Sequence, residues 1–150
     1  KNDTVILRNP NSTRPWQHVL EPIGAYILLA INLSKNNLLH GHSFNFGPNS
    51  SKNYTVLDVV KEISKNWSNI KYEIDSDQNK QFYESNLLKL NCDKALYFLK
   101  WKSCLDFEKT IEFTTEWYKG FYEDPRNACQ ITKRQINYYS KLIFKNKTFT

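Results

Sequence analysis

The order of apolar and polar positions divides the chain into short extended runs and longer helical ones. Val5 to Arg8 is a strand-like run closed by the turn formers Asn9-Pro10-Asn11-Ser12. Arg14 to Val19 continues extended, because the ring of Pro15 clashes with helical backbone angles at the residue before it. Glu21-Pro22 then opens a helix, where proline's missing N–H would have had no partner in any case. Its body, Ile23 to Leu33, is apolar on nearly every face, which predicts cover from two sides.

Beyond it, Phe44-Asn45-Phe46-Gly47-Pro48 predicts a short strand ending in a turn. Thr55 caps a helix whose apolar positions Val56, Val59, Val60, Ile63 and Trp67 form one stripe, with Asp58 where a capping box places its acid. Ile70 to Ile74 predicts a strand followed by a polar loop over 75–80, and Leu87 to Leu90 another strand. Asn91 caps a helix starting at Asp93. After Asp106 an amphipathic helix is expected to turn Phe107, Ile111, Thr114, Tyr118 and Phe121 inward, with Gly120 and Pro125 marking its end. Ile131 to Phe144 predicts a final helix. Trp67, Trp117 and Tyr118 fall at helical spacing among aliphatics and are expected in the core. The fold class is mixed α/β, short strands with three or four packed helices.

Composition narrows the function classes. With 40% hydrophobic and 15% aromatic residues, 150 residues suffice for one domain with its own core. No run approaches the roughly 20 apolar residues that span a bilayer. The first residues lack a signal peptide's apolar stretch, and three cysteines without a CxxC pattern disfavour both a disulfide framework and a zinc site, so a reduced cytoplasmic setting is expected. Net charge +6 invites a nucleic-acid partner, but 17 Lys and 4 Arg are scattered among 17 Asn, the bias of an AT-rich genome. Seven N-x-[ST] sequons follow from the same asparagine excess and carry no weight. The chain has no methionine and starts at Lys1, which raises the expectation of a preceding domain.

Arg14-Pro15-Trp16-Gln17-His18-Val19-Leu20-Glu21-Pro22 is the most specific run in the chain. It resembles the RPWQHVLEP signature of the CDP-glucose 4,6-dehydratases, a family of extended short-chain dehydrogenases. Phe44 to Pro48 is similar to their NFGP strand and turn, and Leu88-Lys89-Leu90-Asn91-Cys92-Asp93-Lys94-Ala95 to their LKLDCSKA. Trp101-Lys102, Thr115-Glu116-Trp117-Tyr118 and Ile131-Thr132-Lys133-Arg134-Gln135-Ile136 resemble their GWKP, TVEWY and TLEQI stretches. The resemblance runs in order over nearly the whole chain. It implies the C-terminal, CDP-glucose-holding portion of such an enzyme, with an N-terminal NAD-binding Rossmann domain lying outside this chain.

The resemblance also implies an NAD-dependent lyase in the parent protein, making CDP-4-keto-6-deoxy-D-glucose for deoxysugar and lipopolysaccharide or other surface-polysaccharide biosynthesis. Neither part of that machinery is readable here. The four glycines never reach a GxGxxG-like spacing, and no lysine follows a tyrosine by four residues. The chain alone is expected to bind no cofactor and to be inactive, with no catalytic residue. What remains is substrate grip. An Arg guanidinium matches a diphosphate through paired charge-assisted hydrogen bonds, which singles out Arg14. The resemblance implies pyrophosphate contacts for Arg14 and Asn45. Against these stand a surface ion pair for Arg14 and, for Asn45, a side chain satisfying local backbone.

Tyr83-Glu84-Ser85-Asn86 occupies the family's HEAH segment, keeping the glutamate and losing both histidines. Glu84 and Asn86 stand there as substrate contacts, Glu84 accepting from a cytosine amino group or a sugar hydroxyl, against the reading of a solvated loop. His40-Gly41-His42 offers two metal ligands without a third, so a polar loop is expected and no metal. His18 is expected to be structural. Two other readings stay open: another nucleotide-sugar dehydratase or epimerase portion, against which Pro15 and Gln17-His18 speak, and a basic helical nucleic-acid-binding module. No nucleic acid and no membrane partner is expected. Self-association through apolar surface, left bare where the Rossmann domain is missing, is expected.

Overall fold

The computed structural model describes residues 4–49, 51–68, 70–75 and 87–145. Strand β1 (Val5–Leu7) pairs in parallel with β2 (Tyr72–Ile74), with Val5 opposite Tyr72 and Leu7 opposite Ile74. Parallel strands need a crossover. Here it runs through α1 (Leu20–Lys35) and α2 (Val56–Asn66). Then follow α3 (Asp93–Leu99), α4 (Phe107–Glu123) and α5 (Asn127–Lys145). The expected mixed fold is present, with helices dominating.

The predicted start signals explain the helix boundaries. Thr55 Oγ1 accepts from the Asp58 amide at 3.1 Å while Asp58 accepts from the Thr55 amide at 2.8 Å, a closed capping box. Two further orphan amides of α2, on Val56 and Leu57, donate to the carbonyls of Ser12 and Pro10, so the segment before the Arg14 motif is laid across the α2 N-terminus. Asn91 accepts from the Asp93 amide at 2.9 Å and caps α3 from one residue outside the formal cap. Asp106 caps α4 through the Lys109 amide.

Two expected strands do not form. Phe44–Pro48 is extended but joins no ladder among the described residues, because side chains take its backbone: the Phe46 carbonyl accepts from Gln17 Nε2 at 3.0 Å. The 87–90 run is likewise irregular, and Leu90 packs where Gly47 leaves room. The polar loop over 76–80 lies outside the described residues.

The α4 face also differs. Phe107 and Ile111 are buried as predicted, but Thr110, Phe113 and Thr115 join them while Tyr118 stays 49% exposed. The cause is tertiary: α2 and α5 both pack on α4, covering two faces where one stripe predicts one. Gly120 lies inside α4 rather than ending it. A Cβ there would stand 2.3 Å from Ile131 Cδ1, so its role is the close approach of α5. The last helix begins at Asn127, ahead of Ile131.

Two apolar clusters make the interior. The first joins Ala25 and Leu28 of α1 to Leu39, Phe46, Ala95, Leu99 and the nearly sealed Trp101. The second joins Leu105 and Phe113 to Tyr139 and Ile143 of α5. The core tryptophan is thus Trp101, whereas Trp67 and Trp117 are half-buried in a surface run of stacked rings. α1 is covered on one side only. Glu21, Gly24, Ala25 and Leu28 face inward, while Val19, Ile23, Tyr26, Ile27 and Ile31 remain exposed.

Candidate functional site

A cleft of about 330 Å³ opens between the segment entering α1 and the start of α4. Thr13 to Gln17 form one wall, with Arg14 on it. Ser103, Leu105 and Asp106, continuing into Phe107, Glu108 and Thr110, form the other, and 51–54 and 88–90 close the ends. Tyr54 lies flat on Phe107, ring centroids 3.8 Å apart and planes 4° off parallel, giving one side a rigid aromatic face. Arg14, Lys52 and Lys89 bring three cations to the rim. Asp106 is spent on its helix cap and Glu108 stands at the α4 end. Such a cleft can hold an anionic, partly planar ligand through charge-assisted hydrogen bonds and stacking.

The motif that frames this cleft is consumed almost entirely by structure. Trp16 Nε1 donates to the Tyr54 carbonyl at 3.0 Å and fixes the aromatic pair. Gln17 reaches the Phe46 carbonyl, tying the motif to the 44–48 segment. His18 is buried, its Nδ1 accepting from the Leu20 amide at 3.3 Å and its ring edge-on to Phe113. Burial holds its pKa below the usual value. Glu21 is 1% exposed and accepts from the Cys104 and Leu105 amides and the Tyr139 hydroxyl. Burial raises its pKa against the pull of those three donors. Arg14 is half-buried on the cleft wall, donating to the Thr13 carbonyl at 2.7 Å. Pro15, Trp16, Gln17 and Glu21 of the same motif also line the cleft, and Arg14 is its one cation there.

Asn45 is exposed and does not line the cleft. Its amide donates to the Asn91 carbonyl at 3.3 Å, joining the 44–48 segment to the start of α3. The structure therefore does not bring Asn45 beside Arg14, although Pro48 and Asn49 just beyond it are in the cleft. Glu84 and Asn86 lie outside the described residues. Among the described residues no group of three His, Cys, Asp or Glu side chains is placed to hold a metal. His40 contacts the Leu33 carbonyl and His42 packs on Phe44 and Phe98. Sequence reasoning missed Tyr54, Phe107, Lys52 and Lys89 as cleft residues. Only Lys89 carried a signal, through its place in the LKL run.

No family model matches the chain. A relative is the CDP-glucose 4,6-dehydratase of Salmonella typhimurium, 32% identical over 139 residues that cover 92% of this chain. The chain spans 38% of that relative's length. No helix among the described residues is long and apolar enough to cross a membrane.

Proposed function

We propose that this chain is the substrate-holding portion of a nucleotide-sugar 4,6-dehydratase acting on CDP-glucose. The observation that carries the reading is the cleft: the motif that resembles the family's signature folds so that its one arginine faces a cavity with two lysines and a stacked aromatic pair. Arg14, Lys52 and Lys89 hold the diphosphate, and the Tyr54–Phe107 face takes a planar or ring-shaped end of the ligand. Asn45 acts indirectly, by fixing the 44–48 segment whose Pro48 and Asn49 line the cleft. Glu84 and Asn86 are further proposed substrate contacts, Glu84 accepting from a cytosine amino group or a sugar hydroxyl.

In this reading NAD and the residues of oxidation and proton transfer belong to a Rossmann portion that the longer relative has room for. When bound there, NAD supplies the hydride acceptor and donor. This chain's residues bind and orient the nucleotide sugar and exclude water. The outer face of α1, with Ile23, Tyr26 and Ile27 exposed, is the surface on which that portion packs. A helix apolar on two faces is otherwise a buried one.

Titration calorimetry of the chain with CDP-glucose tests the reading. Arg14→Ala should weaken binding by about 2 to 3 kcal/mol if the diphosphate is largely desolvated, and Arg14→Lys should recover only part, since an ammonium lacks the planar fork. Both variants binding like the parent would remove Arg14 from the site. A duplex DNA that binds with affinity falling steeply in salt would favour the nucleic-acid module instead.

A further inference from the structure

Glu21 turns its carboxylate into the interior. One oxygen accepts the main-chain N–H groups of Cys104 and Leu105 at 2.7 and 2.6 Å, and the other accepts the Tyr139 hydroxyl at 2.9 Å. Withdrawing a carboxylate from water is unfavourable unless its oxygens find donors, and here three meet it; removing the carboxylate would leave two main-chain N–H groups and a phenol without an acceptor. The carboxyl group holds its three donors in place. Its bonds join three parts distant in the chain: the start of α1, the link between α3 and α4, and the middle of α5. Gly24, one turn along α1, makes room for this. A Cβ there would lie 3.1 Å from the Tyr139 ring and hydroxyl, so a side chain would hold the phenol away from the carboxylate.

These bonds bear on the cleft. The run ending at Glu21 carries the Arg14 wall, Glu21 itself borders the cleft from its buried position, and the link that Glu21 holds supplies Ser103, Leu105 and Asp106 to the opposite wall. α5 puts no described side chain into the cleft. We infer that Glu21 and Tyr139 are positioning residues, a buried carboxylate–phenol clamp that sets the separation of the two walls, so that α5 governs from outside how tightly the cleft holds a nucleoside diphosphate sugar. This rests on the reading of the cleft as the nucleotide-sugar site.

The test compares the parent, Tyr139→Phe, Glu21→Gln and Glu21→Ala, measuring affinity for CDP-glucose and amide exchange at Cys104 and Leu105, well below each variant's unfolding midpoint. Tyr139→Phe keeps the ring and removes one bond; it should weaken binding about 5- to 10-fold and speed exchange of both amides by a similar factor. Glu21→Gln should bind close to the parent, because its amide oxygen accepts both N–H groups while its NH2 donates to the phenol oxygen. Glu21→Ala should lose binding with the largest rise in exchange. Parent-like binding in Tyr139→Phe would overturn the clamp, as would a Glu21→Gln variant as weak as Glu21→Ala. If the parent itself fails to bind CDP-glucose, the cleft reading falls, and the exchange rates still decide the clamp: parent-like rates in Tyr139→Phe overturn it.

Discussion

Replacing Ile23 and Ile27 by lysine is expected to abolish self-association of the chain without unfolding it. Val19 (60%), Ile23 (45%), Tyr26 (61%), Ile27 (53%) and Ile31 (40%) leave about half of each side chain in water along one face of α1. Burying such a side chain completely contributes roughly 1.5 to 3 kcal/mol, so the exposed halves of five hold on the order of 4 to 7 kcal/mol per face. Two faces meeting would double this, against about 4 to 15 kcal/mol for lost translational and rotational freedom. The balance predicts a weak dimer, with a dissociation constant on the order of micromolar to millimolar. Sedimentation velocity over a concentration series checks it. The parent should shift toward dimer with rising concentration, whereas the double lysine variant should stay monomeric with an unchanged circular dichroism spectrum. A parent monomeric up to about millimolar concentration would refute the reasoning that this face wants cover.

Thr55→Ala and Asp58→Ala should each cost about 1 kcal/mol in urea unfolding, and the double variant clearly less than their sum, because both belong to one capping box. Thr55 hydrogen bonds, the backbone one foremost, hold the Asp58 carboxyl below its ordinary value, so this contribution is complete above about pH 3.8 and fades as pH falls through the lower folded value. His18 and Glu21 slope oppositely. Burial lowers His18, so stability rises with pH up to 6.5; burial raises Glu21, so stability falls as pH climbs above 4.5 toward the folded value. Urea midpoints from pH 4.5 to 7 should therefore rise less steeply in His18→Gln and more steeply in Glu21→Gln than in the parent. Trp101→Ala, emptying the centre of the first cluster, should cost about 3 to 5 kcal/mol, visible as a large drop in the unfolding midpoint.

Local chemistry was legible in the chain. The Thr55–Asp58 box, the Asn91 cap and the proline-directed entry to α1 follow from groups within a few residues of one another, where spacing alone fixes who can bond whom. The two-faced apolarity of α1 was legible for the same reason, since a helix's period decides its faces wherever the helix is placed. The expected strands over 44–48 and 87–90 failed because a strand needs a ladder partner; in the first of them the Phe46 carbonyl accepts instead from Gln17, 29 residues away, and the Asn45 side chain donates to the Asn91 carbonyl. Arginine 14's chemistry suggested a phosphate ligand. That it stands in a cleft while His18 of the same motif is buried outside it was decided by where α4 and α5 pack. The Glu21–Tyr139 bond spans 118 residues, and the stacking of Tyr54 on Phe107 likewise joins separate elements. Such long-range pairs leave no periodic trace in one sequence, because each partner is chosen by the tertiary arrangement and not by its neighbours.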